Sequence, residues 1–391
     1  MYRKSIIVRV EPAVLKWLRE SSGWTIDEVS KLLGVQKEHY LKIEKGEKNL
    51  TFRQIELLAK KFRRPSAAFL LPAPPQEPPL PKDFRLIPND KKEFSKKMRL
   101  AFRQARLLQD SSMELMINLG FSIEPNLKKY TLSDNPVNVA AKEREASGIT
   151  LQQQMKWKDS YKAFSAWRDY IEEKNIRVFQ ISMPPEEARG FSLKDKKPYV
   201  IVLNTADDIN ARIFTLFHEY AHLLLSKTSE TSVCITDPLA IDSNETAKIE
   251  RWCNQFAAEF LLPEQSKQQL PDKIQILQDK DFGILDKYAS KFKVSKYALL
   301  VRMKEFNIIT ESELKQLIKS LKQIEPNKDS FGRGLTQLDK CYQEKGRNYI
   351  SLVLENLDKG FINTLDALDY LSIQMKYLDA LSSGQRGVKR A

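Results

Sequence analysis

The sequence predicts a mainly α-helical chain with one small β-sheet, an α+β fold in three parts. Three observations support this. Short amphipathic helical patterns fill the first 72 residues, a proline-rich stretch follows, and only three strand-like segments interrupt the helical patterning after it. The parts are a five-helix bundle at 1–72, a proline-rich linker at 73–90, a mixed domain with its own leading helices at 91–325, and a helical region with a disordered tail at 326–391.

In the first part the helical patterns run over 12–20, 25–33, 36–43, 51–62 and 66–71. Thr25 followed by Glu28 forms a capping box, Gly34 can leave its helix in a left-handed conformation, and Thr51 can cap the fourth helix. Helices this short need one another to be stable, which predicts a bundle. Residues 71–81 read Leu-Pro-Ala-Pro-Pro-Gln-Glu-Pro-Pro-Leu-Pro, which removes backbone donors and favours a semi-rigid extended spacer.

A long helix is expected over about 91–119, a polar stretch over 125–136, and further helices up to about 174. Strands follow at 176–181, 190–193 and 199–203, β-branched or aromatic and bounded by Pro, Gly or Asn. Beyond Asp207 the pattern is helical again, with breaks near Asp237-Pro238, Pro263 and Pro271. Three last helices are expected at 335–344, 349–357 and 363–381, and the tail from Gly384 reads as disordered.

Composition narrows the function classes. The hydrophobic fraction of 42% and charged fraction of 29% belong to a soluble globular chain. A net charge of +13 points to an anionic partner such as nucleic acid. Part of that charge lies in the first 72 residues, and a second basic run, Lys96, Lys97, Arg99, Arg103 and Arg106, reads as a solvated helix face. Cys234, Cys253 and Cys341 are too scattered for a disulfide framework, so a cytoplasmic location is expected. No apolar run is long enough to span a bilayer, and no signal peptide opens the chain, so no membrane partner is expected.

Only three histidines occur, and two of them flank a glutamate in Phe217-His218-Glu219-Tyr220-Ala221-His222-Leu223. On a helix, positions i and i+4 share a face, so both imidazoles can reach one metal ion while Glu219 projects beside them toward a water. That pattern suits a zinc-dependent hydrolase in which Glu219 is the general base. The surrounding residues are apolar, which predicts a buried helix.

A catalytic zinc needs a third protein ligand. The best candidate lies in the segment 249–263, where Glu250, Asn254, Ala257 and Ala258 share a face. Glu250 would bind metal and Asn254 would support a ligand by hydrogen bonding, while small alanines allow close approach. Glu259 and Cys253 are rivals for the ligand role. Tyr199, Tyr220 and Arg212 are candidate donors to the oxyanion of a hydrolytic transition state. The strand at 199–203 is suited to edge pairing with an extended peptide substrate.

These segments, in order, resemble the ImmA/IrrE family of zinc metallopeptidases. The resemblance spans about 137–265 and rests on Phe164-Ser-Ala-Trp-Arg168, Val178-Phe-Gln180, Arg189-Gly-Phe-Ser-Leu193, Pro198-Tyr-Val-Ile-Val-Leu-Asn204, Ala211-Arg-Ile-Phe-Thr-Leu-Phe-His-Glu-Tyr-Ala-His222 and the Glu250 segment. It implies a zincin domain of gluzincin type, with His218, His222 and Glu250 on Zn2+ and Glu219 catalytic. Cys253 departs from the alanine usual in the family, which leaves room for a redox or coordination role. Members of this kind are implicated in cleaving repressor or antitoxin-like DNA-binding proteins, often in phage-related loci.

The first part resembles the XRE type of helix-turn-helix, through its second helix, the Gly34 turn and Gln36-Lys-Glu-His-Tyr-Leu-Lys-Ile-Glu-Lys-Gly46. By that resemblance Gln36, Lys37, Glu38 and Tyr40 would face base edges and Lys42, Lys45 and Lys48 the phosphates. His39 reads as a surface or packing residue. Such modules also dock homologous proteins, and a half-site reader usually works as a homodimer. The expected function is therefore a zinc endopeptidase that cleaves a helix-turn-helix repressor or antitoxin. Two alternatives remain open: a toxin component of a toxin-antitoxin or phage-defence system, and a transcription regulator with a non-catalytic zinc site.

Overall fold

The computed structural model describes residues 6–76, 94–226, 231–234, 245–278, 282–324 and 335–382. The chain divides into two compact units, residues 1–82 with 86–104 and residues 83–85 with 105–391. It is mainly helical with small sheets, as the patterning predicts.

The first unit runs β1 (Ile7–Val8), α1 (Pro12–Ser21), α2 (Ile26–Leu33), α3 (Lys37–Glu44), β2 (Leu50–Thr51) and α4 (Phe52–Phe62), and closes with a 3-10 helix at Ser66–Leu70. The expected Thr25–Glu28 capping box forms, Thr51 caps α4 as expected and does so in a second capping box with Gln54, and Gly34 takes φ 66° at the end of α2. Val14, Leu15, Leu18, Val29, Tyr40, Leu58 and Phe69 meet in a core with no solvent exposure. The fifth helix is a 3-10 turn because Pro65 starts it and only five residues follow before the backbone extends again. The antiparallel pairing of β1 with β2 was not expected, since two-residue strands carry no periodic signal.

The long helix α5 (Lys96–Asn118) straddles the unit boundary, which falls after Gln104 rather than in the proline-rich stretch. The basic run explains this. Arg99 Nη1 donates to Glu20 O at 3.3 Å and Arg103 Nη2 to Phe62 O at 2.9 Å, while Lys96 lies 3.7 Å over the Trp24 ring and pairs with Glu28 at 2.5 Å. Further along, Arg106 pairs with Asp195. The run is thus not a solvated face: four of its cations are spent on internal partners. Residues 77–93, including most of the expected linker, lie outside the described residues.

The second unit continues with α6 (Pro136–Ala146), α7 (Leu151–Lys156), α8 (Ser160–Glu172), β3 (Ile176–Ile181), β4 (Gly190–Leu193), β5 (Tyr199–Asn204), α9 (Ile209–Leu224), β6 (Thr231–Cys234) and α10 (Glu245–Leu261). After these come α11 (Lys273–Gln278), α12 (Gly283–Phe292), α13 (Lys296–Glu305), α14 (Glu311–Ile324), α15 (Gln337–Lys345), α16 (Arg347–Asp358), α17 (Thr364–Leu371) and α18 (Met375–Ser382). The pattern at 363–381 is two helices, because Ser372 turns left-handed at φ 55° and ends α17. The Asp237-Pro238 break and the tail from residue 383 lie outside the described residues.

The sheet order is β3-β5-β4-β6, with β3 and β5 parallel and β4 antiparallel to both its neighbours. This corrects the expectation for 199–203. β5 is an interior strand, hydrogen-bonded on both sides, and has no edge to offer a substrate. Its near-continuous apolar run is the mark of a strand covered on both faces. Ile176, Val178, Ile201 and Leu203 join the core built around α8, α9 and α10, while Phe179 faces the other way and meets the Tyr349 ring edge-on at 5.2 Å. Of the two edge strands, β3 is packed by α15, and β6 carries no further strand among the described residues.

Candidate metal centre

Asp208 caps α9 by accepting from Asn210 N, and the helix then runs under the sheet with every residue from Thr215 to Leu224 buried. Aromatic stacking holds α10 against it: Phe217 and Phe260 lie 4.0 Å apart between ring centroids, and Trp167 meets both edge-on. Ala257 and Ala258 are buried in this seam. β4 also approaches closely. A Cβ on Gly190 would lie 2.6 Å from Thr215 Cγ2 and 2.8 Å from Val202 O, so only glycine fits there.

This packing brings three side chains to one point. His222 Nε2 lies 3.1 Å from His218 Nε2, and the Glu250 carboxylate oxygens lie 3.2 Å from His218 Nε2 and 3.3 Å from His222 Nε2. Ligand atoms at bonds of about 2.0–2.1 Å around a tetrahedral ion are themselves about 3.3 Å apart. Two imidazole nitrogens and a carboxylate at that spacing therefore fit zinc in geometry and in donor chemistry. On the far side of the His218 ring, Nδ1 meets Asn254 Oδ1 at 2.8 Å, which leaves Nε2 directed at the shared point.

Glu219 is fully buried beside the two histidines. Burial pushes its carboxyl up, against the pull of His222 and His218 and a hydrogen bond with Ser192 of β4. Burial would raise Glu250 as well, but the two imidazoles outweigh it and hold that carboxyl well below the usual range.

The rivals for the third ligand position fall elsewhere. Glu259 pairs with Arg302 and accepts from Glu264 N at 3.0 Å, and Cys253 is buried among the core residues outside the donor cluster. Two of the three oxyanion candidates are committed to other partners. Tyr220 is buried and donates to Glu143 Oε2 at 2.7 Å, and Arg212 donates to Gln180 Oε1 at 2.6 Å and to Asp207 O at 2.9 Å. Tyr199 is half-buried, with Lys129 lying 5.2 Å over its ring. Ser192 was missed as a neighbour of Glu219. The signal for it was Gly190, which marks the close approach that carries β4 over the helix.

In the first unit, Gln36, Lys37, Glu38, Lys42, Lys45 and Lys48 are exposed on and just beyond α3. Lys37 pairs with Asp27 at 2.8 Å, and Lys48 Nζ lies 3.3 Å from His39 Nδ1, which places His39 at the surface. Tyr40 is a correction. It has no exposure and sits in the core, so it cannot face a base edge.

Comparison with family models matches residues 171–304 to the IrrE N-terminal-like domain, a peptidase family, and residues 15–69 to a helix-turn-helix. The chain joins an ImmA/IrrE-type domain to an N-terminal helix-turn-helix. The IrrE-like match begins at the end of α8 and runs through most of α13, so it takes in all four strands of the sheet, both donor helices and α11 to α13. It starts later and ends later than the resemblance legible in the sequence. Comparison with curated proteins gave no match. Among the described residues no helix is long and apolar enough to cross a membrane.

Proposed function

We propose that the IrrE-like domain is a zinc-dependent endopeptidase that cleaves a regulatory, repressor-like or antitoxin-like DNA-binding protein. The observation that carries this reading is the convergence of His218, His222 and Glu250 at mutual distances of 3.1–3.3 Å with Glu219 buried alongside. A purely structural zinc site closes all four positions with protein ligands, whereas here three protein side chains converge and an acid stands beside them. Bound zinc supplies a Lewis acid for the scissile carbonyl and acidifies a water.

The chain's own residues do the rest. Asn254 fixes the His218 ring, Glu219 accepts the proton of the attacking water at its carboxylate, and the same group returns it to the departing amine. The burial that raises Glu219 makes it a stronger base than an exposed carboxylate. Ser192 limits where its carboxylate can swing. An extended substrate has the outer edge of β6 to pair with, since β5 is enclosed. The helix-turn-helix unit binds DNA through the exposed face of α3, which keeps the peptidase near regulators bound to the same DNA.

The test is co-expression of the chain with candidate helix-turn-helix proteins, followed by mass spectrometry of fragments and zinc analysis. Glu219→Gln keeps zinc and lowers cleavage by about 100-fold or more. Cleavage that survives in Glu219→Gln sinks the peptidase reading.

A further inference from the structure

The face of the sheet that carries Phe179 holds a second feature of interest. Between the start of β3, the end of α5 and α16 lies a cavity of about 360 Å3, a size at the small end of ligand pockets. Its wall includes Met116, Asn175, Arg177, Asn348, Ser351 and Glu355. Asn348, Ser351 and Glu355 follow a spacing of three and four along α16, so one face of that helix supplies polar groups to the cavity.

Arg177 is the residue that needs an explanation. It is only 8% exposed, and its Nε has no hydrogen-bond partner among the described residues. The acid near it, Glu172, is already occupied. It accepts from Arg168 Nε at 3.3 Å, from Val178 N at 3.3 Å and from Asn348 Nδ2 at 2.8 Å. Glu355, at the cavity wall, pairs with Lys359 at 2.9 Å. A buried guanidinium stays charged, and leaving it without a paired anion is costly. Burial accordingly lowers its pKa, with Glu172 and its charge acting in the opposite sense.

We propose that this cavity is a binding site for a small oxyanion, a carboxylate or phosphate group seated on the Arg177 guanidinium. The planar donor fork of arginine matches either group, and Ser351, an exposed residue of the cavity wall, offers a hydroxyl as a further donor. An occupant would join β3 to α16 and so tie the C-terminal helices to the sheet. This site is independent of the peptidase reading.

Isothermal titration of the full chain with inorganic phosphate and, separately, with succinate tests it, at an ionic strength held constant with chloride. Saturable binding of at least one anion is expected, and which one binds separates a phosphate from a carboxylate ligand. Arg177→Gln is expected to weaken that binding at least about tenfold. Ser351→Phe, at an exposed position on α16, fills the cavity without removing the arginine and is expected to do the same. Absence of saturable binding of both anions to the wild type overturns the proposal. So does undiminished binding in Arg177→Gln or, should that variant fail to fold, in Ser351→Phe.

Discussion

Asp207 shows how one buried side chain links the metal helix to pH. It sits just before α9, pairs with Arg189 at 2.6 Å, and burial pushes its carboxyl up to about 6 in spite of that partner. A carboxyl whose pKa rises on folding binds its proton more tightly in the native state, so its contribution favours folding below about pH 4 and is lost as pH rises through 6. Asp207→Asn keeps an oxygen acceptor for Arg189 and removes the titration. The stability of the variant relative to wild type should therefore climb by roughly 1–3 kcal/mol between pH 4.5 and 7.5, as read by urea unfolding. At this scale much of the convergence at the candidate metal centre was legible, because the i, i+4 spacing of His218 and His222 is itself a geometric statement. Tyr40 was not. A residue at the turn between the exposed and buried sides of α3 is assigned to one side only by the helices packed on it, here with Arg19 reaching past it to Glu44 at 2.8 Å.

Among the elements, β4 has the tightest constraint, since it must lie against α9 for Ser192 to reach Glu219. Gly190→Ala places a methyl group within 3 Å of Thr215 and of the Val202 carbonyl. Overpacking of that kind costs about 1–3 kcal/mol, and the lower urea midpoint should come with weaker retention of any metal held by His218, His222 and Glu250, measured by metal analysis after dialysis. Strands β3, β4 and β5 were legible from their β-branched or aromatic runs and bounding turns. Sheet order was not, since it depends on which chain segments meet, and local pattern carries no record of that. β6 was missed for a related reason: Thr-Ser-Val-Cys carries no apolar run and no bounding Pro, Gly or Asn, and only its pairing with β4 makes it a strand.

For the whole molecule, the charge of +13 is a statement about partners only where cations face solvent. The run on α5 fails that condition, while Lys42, Lys45 and Lys48 in the helix-turn-helix unit satisfy it. If α3 serves DNA, replacing any one of these lysines by Ala should weaken binding across sequences and reduce the slope of log affinity against log salt by about 1. An unchanged slope in all three variants would point to a protein as the partner of this unit. The boundary between the two compact units falls within α5, after Gln104. Where a helix belongs is decided by what its side chains touch, and the contacts of Arg99 and Arg103 are invisible until both ends of the contact are folded.

The docking of the C-terminal helices on β3 bears on how the protein behaves in concentrated solution. Gln180 Nε2 donates to Gln343 O at 2.5 Å, Arg168 donates to the same carbonyl at 3.1 Å, and Gly346 leaves no room for a side chain beside that guanidinium. Along that margin the backbone at Val178 is already bonded by α8, its N–H donating to Glu172 and its carbonyl accepting from Arg168, so what the C-terminal helices chiefly cover is the apolar face around Phe179. Loss of the segment from Gln337 onward would therefore uncover an apolar patch around Phe179 and favour self-association.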